Sequence, residues 1–151
     1  MSTFEKIRID TAKATILCID DDPDIIALLG QLMLRAGYSY EPCCGPEAAL
    51  AAVTRRVPDL ILADVDLNGE DGLELVRRLK QLPGVDEVPV LFMSGLDTPN
   101  IVRRAHDAGG MYYLSKPFDP EVLMELVAKS LWLPHVVNSH IAARFSRTTA
   151  N

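Results

Sequence analysis

Pro58-Asp59-Leu60-Ile61-Leu62-Ala63-Asp64-Val65-Asp66-Leu67-Asn68-Gly69-Glu70-Asp71-Gly72 is the segment from which the architecture can be worked out. A short apolar run ends on an acid and passes into a glycine-bounded loop. Such a run, flanked by turn residues, reads as a strand buried on both faces, which puts Asp64 at its carboxyl end. That is the edge at which open parallel sheets bind ligands. A second acidic strand end stands upstream, in Ile16-Leu17-Cys18-Ile19-Asp20-Asp21-Asp22-Pro23. Side by side, the two ends gather several negative charges into one crevice, and their mutual repulsion calls for a cation.

Outward from these two runs, strand and helix patterns alternate five times. Ala14 to Ile19 reads as the first strand. Asp22 and Pro23 then start a helix, with an acceptor at the N-cap and proline at N1, and Asp24 suits the positive end of its dipole. Asp22 can therefore serve the backbone alone, whereas Asp20 and Asp21 have no such local duty. Ile25, Ile26, Leu28, Leu29, Leu32 and Met33 recur at helical intervals, and Gly37 stops the helix. Tyr38 to Cys44 is predicted as a strand, Gly45-Pro46 as a turn, and Glu47 to Arg56 as a helix. After the strand ending at Asp64 come a helix over Gly72 to Leu82 and a strand over Val88 to Met93, with Pro89 at its start. A helix over Pro99 to Ala108, a strand over Met111 to Leu114, a loop at Ser115-Lys116-Pro117 and a helix from Pro120 to Leu133, started by Asp119, complete the pattern.

Alternation of this kind implies an α/β fold: a doubly wound five-stranded parallel sheet joined by right-handed crossovers, with helices on both faces. All the strand carboxyl ends then open on one edge. That edge collects Asp20, Asp21, Asp64, Ser94 and Lys116 from distant parts of the chain.

The 151 residues, 48% hydrophobic and 24% charged, suit one compact domain with terminal excess. A net charge of -6 argues against general nucleic-acid binding, which needs a basic face. Nothing near the amino terminus resembles a signal peptide, and no apolar run approaches the roughly 18 residues of a membrane span. A cytoplasmic location without membrane contact is expected. Cys18, Cys43 and Cys44 offer neither an even disulfide framework nor zinc spacing, and His106, His135 and His140 are dispersed. Cys18 reads as a small buried apolar residue, and Cys43 and Cys44 as neighbours pointing to opposite sides of a strand.

Clustered carboxylates cannot all ionise cheaply, because each raises the pKa of the next. Magnesium resolves the conflict: it takes oxygen ligands, keeps several waters, and leaves room for a phosphoryl oxygen. A lysine and a hydroxyl opposite it supply the charge neutralisation that phosphoryl transfer demands. Asp64 is the expected nucleophile, since carboxylates form acyl phosphates.

Ile16 to Asp24, Pro58 to Leu75, Val88 to Ser94 and Gly109 to Phe118 closely resemble the receiver domains of two-component response regulators, over roughly residues 14 to 131. The resemblance implies a flavodoxin-like (βα)5 fold with strand order 2-1-3-4-5. It implies that Asp64 takes phosphate from a histidine kinase or phosphotransfer protein. It also implies that Asp20 and Asp21 hold Mg2+ with Asp64 and the backbone carbonyl of Asp66, and that Ser94 and Lys116 sense the phosphoryl group. Tyr113 matches the aromatic that swings inward with the hydroxyl, and the Lys116-Pro117 bond is expected to be cis. Such a protein is a phosphoacceptor switch rather than an enzyme with a separate substrate. Its readout is the surface of the fourth helix, fifth strand and fifth helix, offered to a target protein, an output domain or a second copy.

Departures from the family pattern are Asn68, where proline is frequent, and Gly110-Met111-Tyr112, which replaces a more acidic loop. Asp66 and Leu96 occupy positions that, by the same resemblance, influence how fast phosphate is lost. Two other readings of the residues compete. Asp64-Val65-Asp66 resembles the nucleophile and acid of haloacid dehalogenase-type phosphatases, but there the double acid follows the lysine, and here Asp20 and Asp21 precede everything. An unphosphorylated receiver scaffold is the second. The expected layout is an arm over 1–13, the receiver over 14–131 and an extension or linker over 132–151, mildly basic, with Leu131-Trp132-Leu133-Pro134 too apolar for a solvated end.

Overall fold

The computed structural model describes residues 14–132. The expected arm over 1–13 and all of the extension beyond Trp132 lie outside them. Five parallel strands form the sheet: β1 (Thr15–Ile19), β2 (Ser39–Cys43), β3 (Leu60–Asp64), β6 (Val90–Ser94) and β7 (Tyr112–Ser115). The helices are α1 (Pro23–Arg35), α2 (Pro46–Arg55), α3 (Gly72–Leu79), α4 (Ile101–Asp107) and α5, over residues 120–132. A two-residue pair, β4 (Asp66–Leu67) and β5 (Glu70–Asp71), stands apart as an antiparallel hairpin. The sheet order is β2-β1-β3-β6-β7. With the hairpin strands set aside, this is the 2-1-3-4-5 order of a flavodoxin-like sheet.

Each central strand is buried along its whole length, as expected where helices cover both faces. Successive side chains divide between two cores with the period of two that a pleated strand dictates. Leu17, Ile19, Ile61, Ala63, Val90 and Phe92 pack with α2, α3 and α4 on one face. Ile16, Cys18, Leu60, Leu62, Leu91 and Met93 pack with α1 and α5 on the other. Polar positions are therefore left at the strand ends, where the side chains leave the sandwich.

Local chemistry explains the helix starts. Asp22 caps α1 by accepting from the Asp24 amide, with Pro23 at N1. Asp119 accepts from the Glu121 amide at the head of α5. Pro46, expected in a turn, is instead the first residue of α2, with extended Gly45 as its cap; proline tolerates that position because its missing donor would be unpaired there anyway.

Other boundaries differ from the sequence expectation by one to three residues; β7, for example, takes in Ser115, expected in a loop, and leaves out Met111. Helix α3 stops at Leu79 rather than Leu82, because the chain turns through Pro83 and Gly84, the latter with φ +81°. Strand β6 begins at Val90 rather than Val88, since Pro89 cannot donate to the ladder. Helix α4 begins at Ile101 rather than Pro99, after Asn100 in the left-handed region. Cys18 and Cys43 are buried, Cys44 is exposed, and all three are free.

Candidate functional site

The chain's acids meet above the carboxyl ends of β1 and β3. Asp20 leaves β1 with its amide bonded to the Cys43 carbonyl at 3.0 Å, which ties the first loop to the neighbouring strand. Its Oδ1 accepts from the Asp22 amide at 2.9 Å, and the side chain is completely buried. Asp64 ends β3 in the same manner, with Oδ1 accepting from the Asp66 amide at 2.9 Å. Each of the two carboxylates thus has one oxygen fixed by its own loop and the other turned toward the space between them.

Lys116 fills the space between them. Its Nζ donates to Asp20 Oδ2 at 2.7 Å and to Asp64 Oδ2 at 2.7 Å. The lysine lies just past β7, and its amide donates to the Ser94 carbonyl at 2.8 Å, so the side chain spans β6 to reach β3 and β1. Ser94 closes β6, with an Oγ that accepts from the Leu96 amide at 2.9 Å. The Lys116-Pro117 bond is cis. Tyr113, paired with Phe92 across β6 and β7, packs half-buried against the core under α2, α3 and α4. The structure therefore gathers Asp20, Asp21, Asp64 and Lys116 directly, with Ser94 on the adjacent strand tip and Tyr113 on the flank.

Burial pushes the Asp64 carboxyl above its usual range, and the hydrogen bond from Lys116 offsets this only in part. For Lys116, burial pulls the pKa down, but the bonds to Asp20 and Asp64 outweigh it and hold the ammonium above its ordinary value. Both directions describe one arrangement: two desolvated carboxylates share a single internal cation.

One carboxylate oxygen from each of Asp20, Asp21 and Asp64 lies within 4.8 Å of the others. The set is all oxygen, with no sulfur or imidazole among the three, which suits a hard divalent cation such as Mg2+ rather than zinc or copper. An open cleft of about 320 Å³ adjoins them, and Asp66, Asn68 and Leu96 stand on its walls with Lys116. By its sequence Asn68 is only a departure from the family pattern; the structure sets it in that wall. The hairpin that carries it was missed, although Asn-Gly between two short runs is a strong hairpin signal. Gly72, a helix start by its sequence, also lies directly beneath Asp64.

With fold and site in view, the comparison with known proteins is direct. The family model for the response regulator receiver domain matches residues 16–128, and the chain belongs to that family. Over 116 residues it is 38% identical to the gliding motility regulatory protein of Myxococcus xanthus, covering 77% of this chain and 14% of that protein. It is 29% identical over 116 residues to sporulation initiation phosphotransferase F of Bacillus subtilis, covering 77% of this chain and 92% of that one. The chain thus spans a small part of the first relative and nearly all of the second. Among solved structures, chemotaxis protein CheY4 of Vibrio cholerae superposes with a TM-score of 0.74 at 26% identity, covering 79% of this chain and 99% of that one. NtrX of Brucella abortus gives 0.80 at 28% identity, covering 87% of this chain and 30% of that one. Among the described residues, no helix is long and apolar enough to cross a membrane.

Proposed function

We propose that this chain is a phosphoacceptor switch that takes a phosphoryl group on Asp64 from a phosphohistidine of a histidine kinase or phosphotransfer protein. The observation that carries the reading is the double hydrogen bond of Lys116 to Asp20 and Asp64 inside the carboxylate cluster. It is the arrangement a phosphoryl site needs before the phosphoryl group arrives.

Asp20, Asp21 and Asp64, with the carbonyl of Asp66, would hold Mg2+, which supplies charge neutralisation to the transferred group. Asp64 offers a carboxylate oxygen to phosphorus: the new O–P bond forms as the P–N bond of the donor breaks, and the histidine nitrogen keeps the bonding electrons. Lys116 is placed to follow the charge, moving its hydrogen bond from Asp64 Oδ2 to a phosphoryl oxygen. Ser94 Oγ spends a lone pair on the Leu96 amide and keeps its proton for a phosphoryl oxygen.

Phosphorylation adds about 1.5 to 2 negative charges. The change is read through differential contacts, with Ser94 and Tyr113 coupling the site to the surface of α4, β7 and α5. That surface is offered to a target protein, an output domain or a second copy, and the setting is the cytoplasm. The test is incubation with acetyl phosphate or beryllofluoride and Mg2+, comparing wild type with Asp64→Ala. A mass gain or spectral change that depends on Asp64 supports the switch; an inert wild type supports the unphosphorylated scaffold instead.

A further inference from the structure

The tip of the β4–β5 hairpin carries chemistry that phosphotransfer does not use. Asn68 and Gly69 both have positive φ, at +55° and +91°, and both are exposed. A Cβ placed on Gly69 would meet nothing within 4 Å, so no side chain, its own or a neighbour's, fills the space beside its Cα. The Gly69 N–H points at Asp66 Oδ1, 3.2 Å away. Only two residue pairs, Asp66 with Asp71 and Leu67 with Glu70, hold the hairpin behind the tip, and a ladder that short opens at little cost.

We propose that Asn68 is a self-modification site, at which the side-chain amide is lost through a cyclic imide and a carboxylate is added to the wall of the cleft. The Gly69 nitrogen gives up its proton to hydroxide from solvent and attacks Cγ of Asn68. The N–Cγ bond forms, the Cγ–Nδ2 bond breaks, and ammonia leaves with a proton returned by water. Water then opens the ring. Addition at Cγ restores the backbone with aspartate at position 68, and addition at the main-chain carbonyl leaves isoaspartate. One amide nitrogen departs, one water is consumed, and nothing is oxidised or reduced.

Asn100 supplies the internal comparison. It too is exposed with positive φ, at +65°, but the next residue is Ile101, which is β-branched and buried and whose amide donates to the Thr98 carbonyl at 3.3 Å. Openness after the asparagine, rather than its backbone conformation, separates the two positions. The consequence for the cleft rests on the phosphoacceptor reading: a further acid beside Asp21, Asp64 and Asp66 strengthens the field that holds a divalent cation.

Incubation of the full chain at mildly alkaline pH in 18O-labelled water, followed by peptide mass spectrometry, tests the chemistry without any phosphorylation. The expected result is an amide-to-carboxylate mass change in the peptide containing Asn68, with one labelled oxygen, both aspartate and isoaspartate products, and no change in the peptide containing Asn100. An intact Asn68 peptide overturns the proposal, and aspartate alone overturns the cyclic route. Asn68→Asp, compared with wild type by magnesium titration, tests the consequence: affinity is expected to rise about threefold to tenfold, and an unchanged affinity overturns the link to the cleft.

Discussion

The backbone of Gly72 lies against the main-chain carbonyl of Asp64, so closely that a Cβ at position 72 would overlap that oxygen. The Gly72 amide also donates to the Val65 carbonyl at 2.7 Å, and the start of α3 is thereby seated under the acid. Gly72→Ala must push α3 and the end of β3 apart. We expect a loss of at least about 3 kcal/mol of stability, together with loss of Asp64-dependent reaction with acetyl phosphate. Thermal denaturation and phosphorylation of the same sample measure both.

Asp64 is raised in pKa chiefly by burial, so folding disfavours its ionised form. Its favourable contribution is complete below the unfolded value of 3.8 and is lost as pH rises through the higher folded value. At neutral pH without metal the ionised carboxylate therefore costs stability. Asp64→Asn is expected to raise the melting temperature of the metal-free protein and to abolish the stabilisation that magnesium gives wild type. A variant that melts below wild type without metal contradicts the assignment.

For Lys116 the sign falls on the alkaline side. Its folded pKa lies above the ordinary 10.5, so the stabilisation it gives is complete below that value and is lost as pH rises through the folded one. Lys116→Ala leaves two desolvated carboxylates facing each other and is expected to cost about 3 kcal/mol at neutral pH. Magnesium should recover a larger share of stability in this variant than in wild type, which thermal shifts with and without the ion will show.

The three thiols should separate by reactivity. Burial pushes Cys18 well above its ordinary pKa and Cys43 up to about 11, while Cys44 is exposed. A thiolate-seeking reagent at mildly alkaline pH should label Cys44 alone in the native protein and all three after denaturation. Peptide mapping after brief labelling checks this; early labelling of Cys18 would mean that the sheet opens under native conditions.

Tyr40 Oη donates to the Ile26 carbonyl at 2.7 Å, with its ring against Gly30. Tyr40→Phe keeps the packing and removes the bond. A loss of about 1 kcal/mol is expected, read as a shift in the denaturant midpoint with an unchanged slope.

Much of the architecture was legible in the residues because the three central strands are buried along their length, which leaves continuous apolar runs ending on Asp20, Asp64 and Ser94. Helix starts were legible for the same local reason, since Asp22 and Asp119 do the capping that their type implies. Boundaries slipped where backbone conformation decided them: left-handed Asn100 delays α4, and Pro89 delays β6. The β4–β5 hairpin escaped because two residues per strand are too few to show a period, though Asn68-Gly69 marked the turn. Within the site, residue types revealed which acids gather, but not that one lysine serves two of them. That fact depends on the reach of Lys116 across β6, and it appears only when the strands are assembled.

Asp20 and Lys116 are joined by a hydrogen bond although 96 positions separate them along the chain. A chain emerging from the ribosome therefore carries both acidic strand tips long before it carries the cation that balances them. Until residue 116 is out, β1 and β3 can pair only against their own repulsion, or with an ion borrowed from solution. A fragment ending before β7 lacks Lys116 and with it the pocket's internal counter-charge, so any structure it keeps should depend on divalent salt.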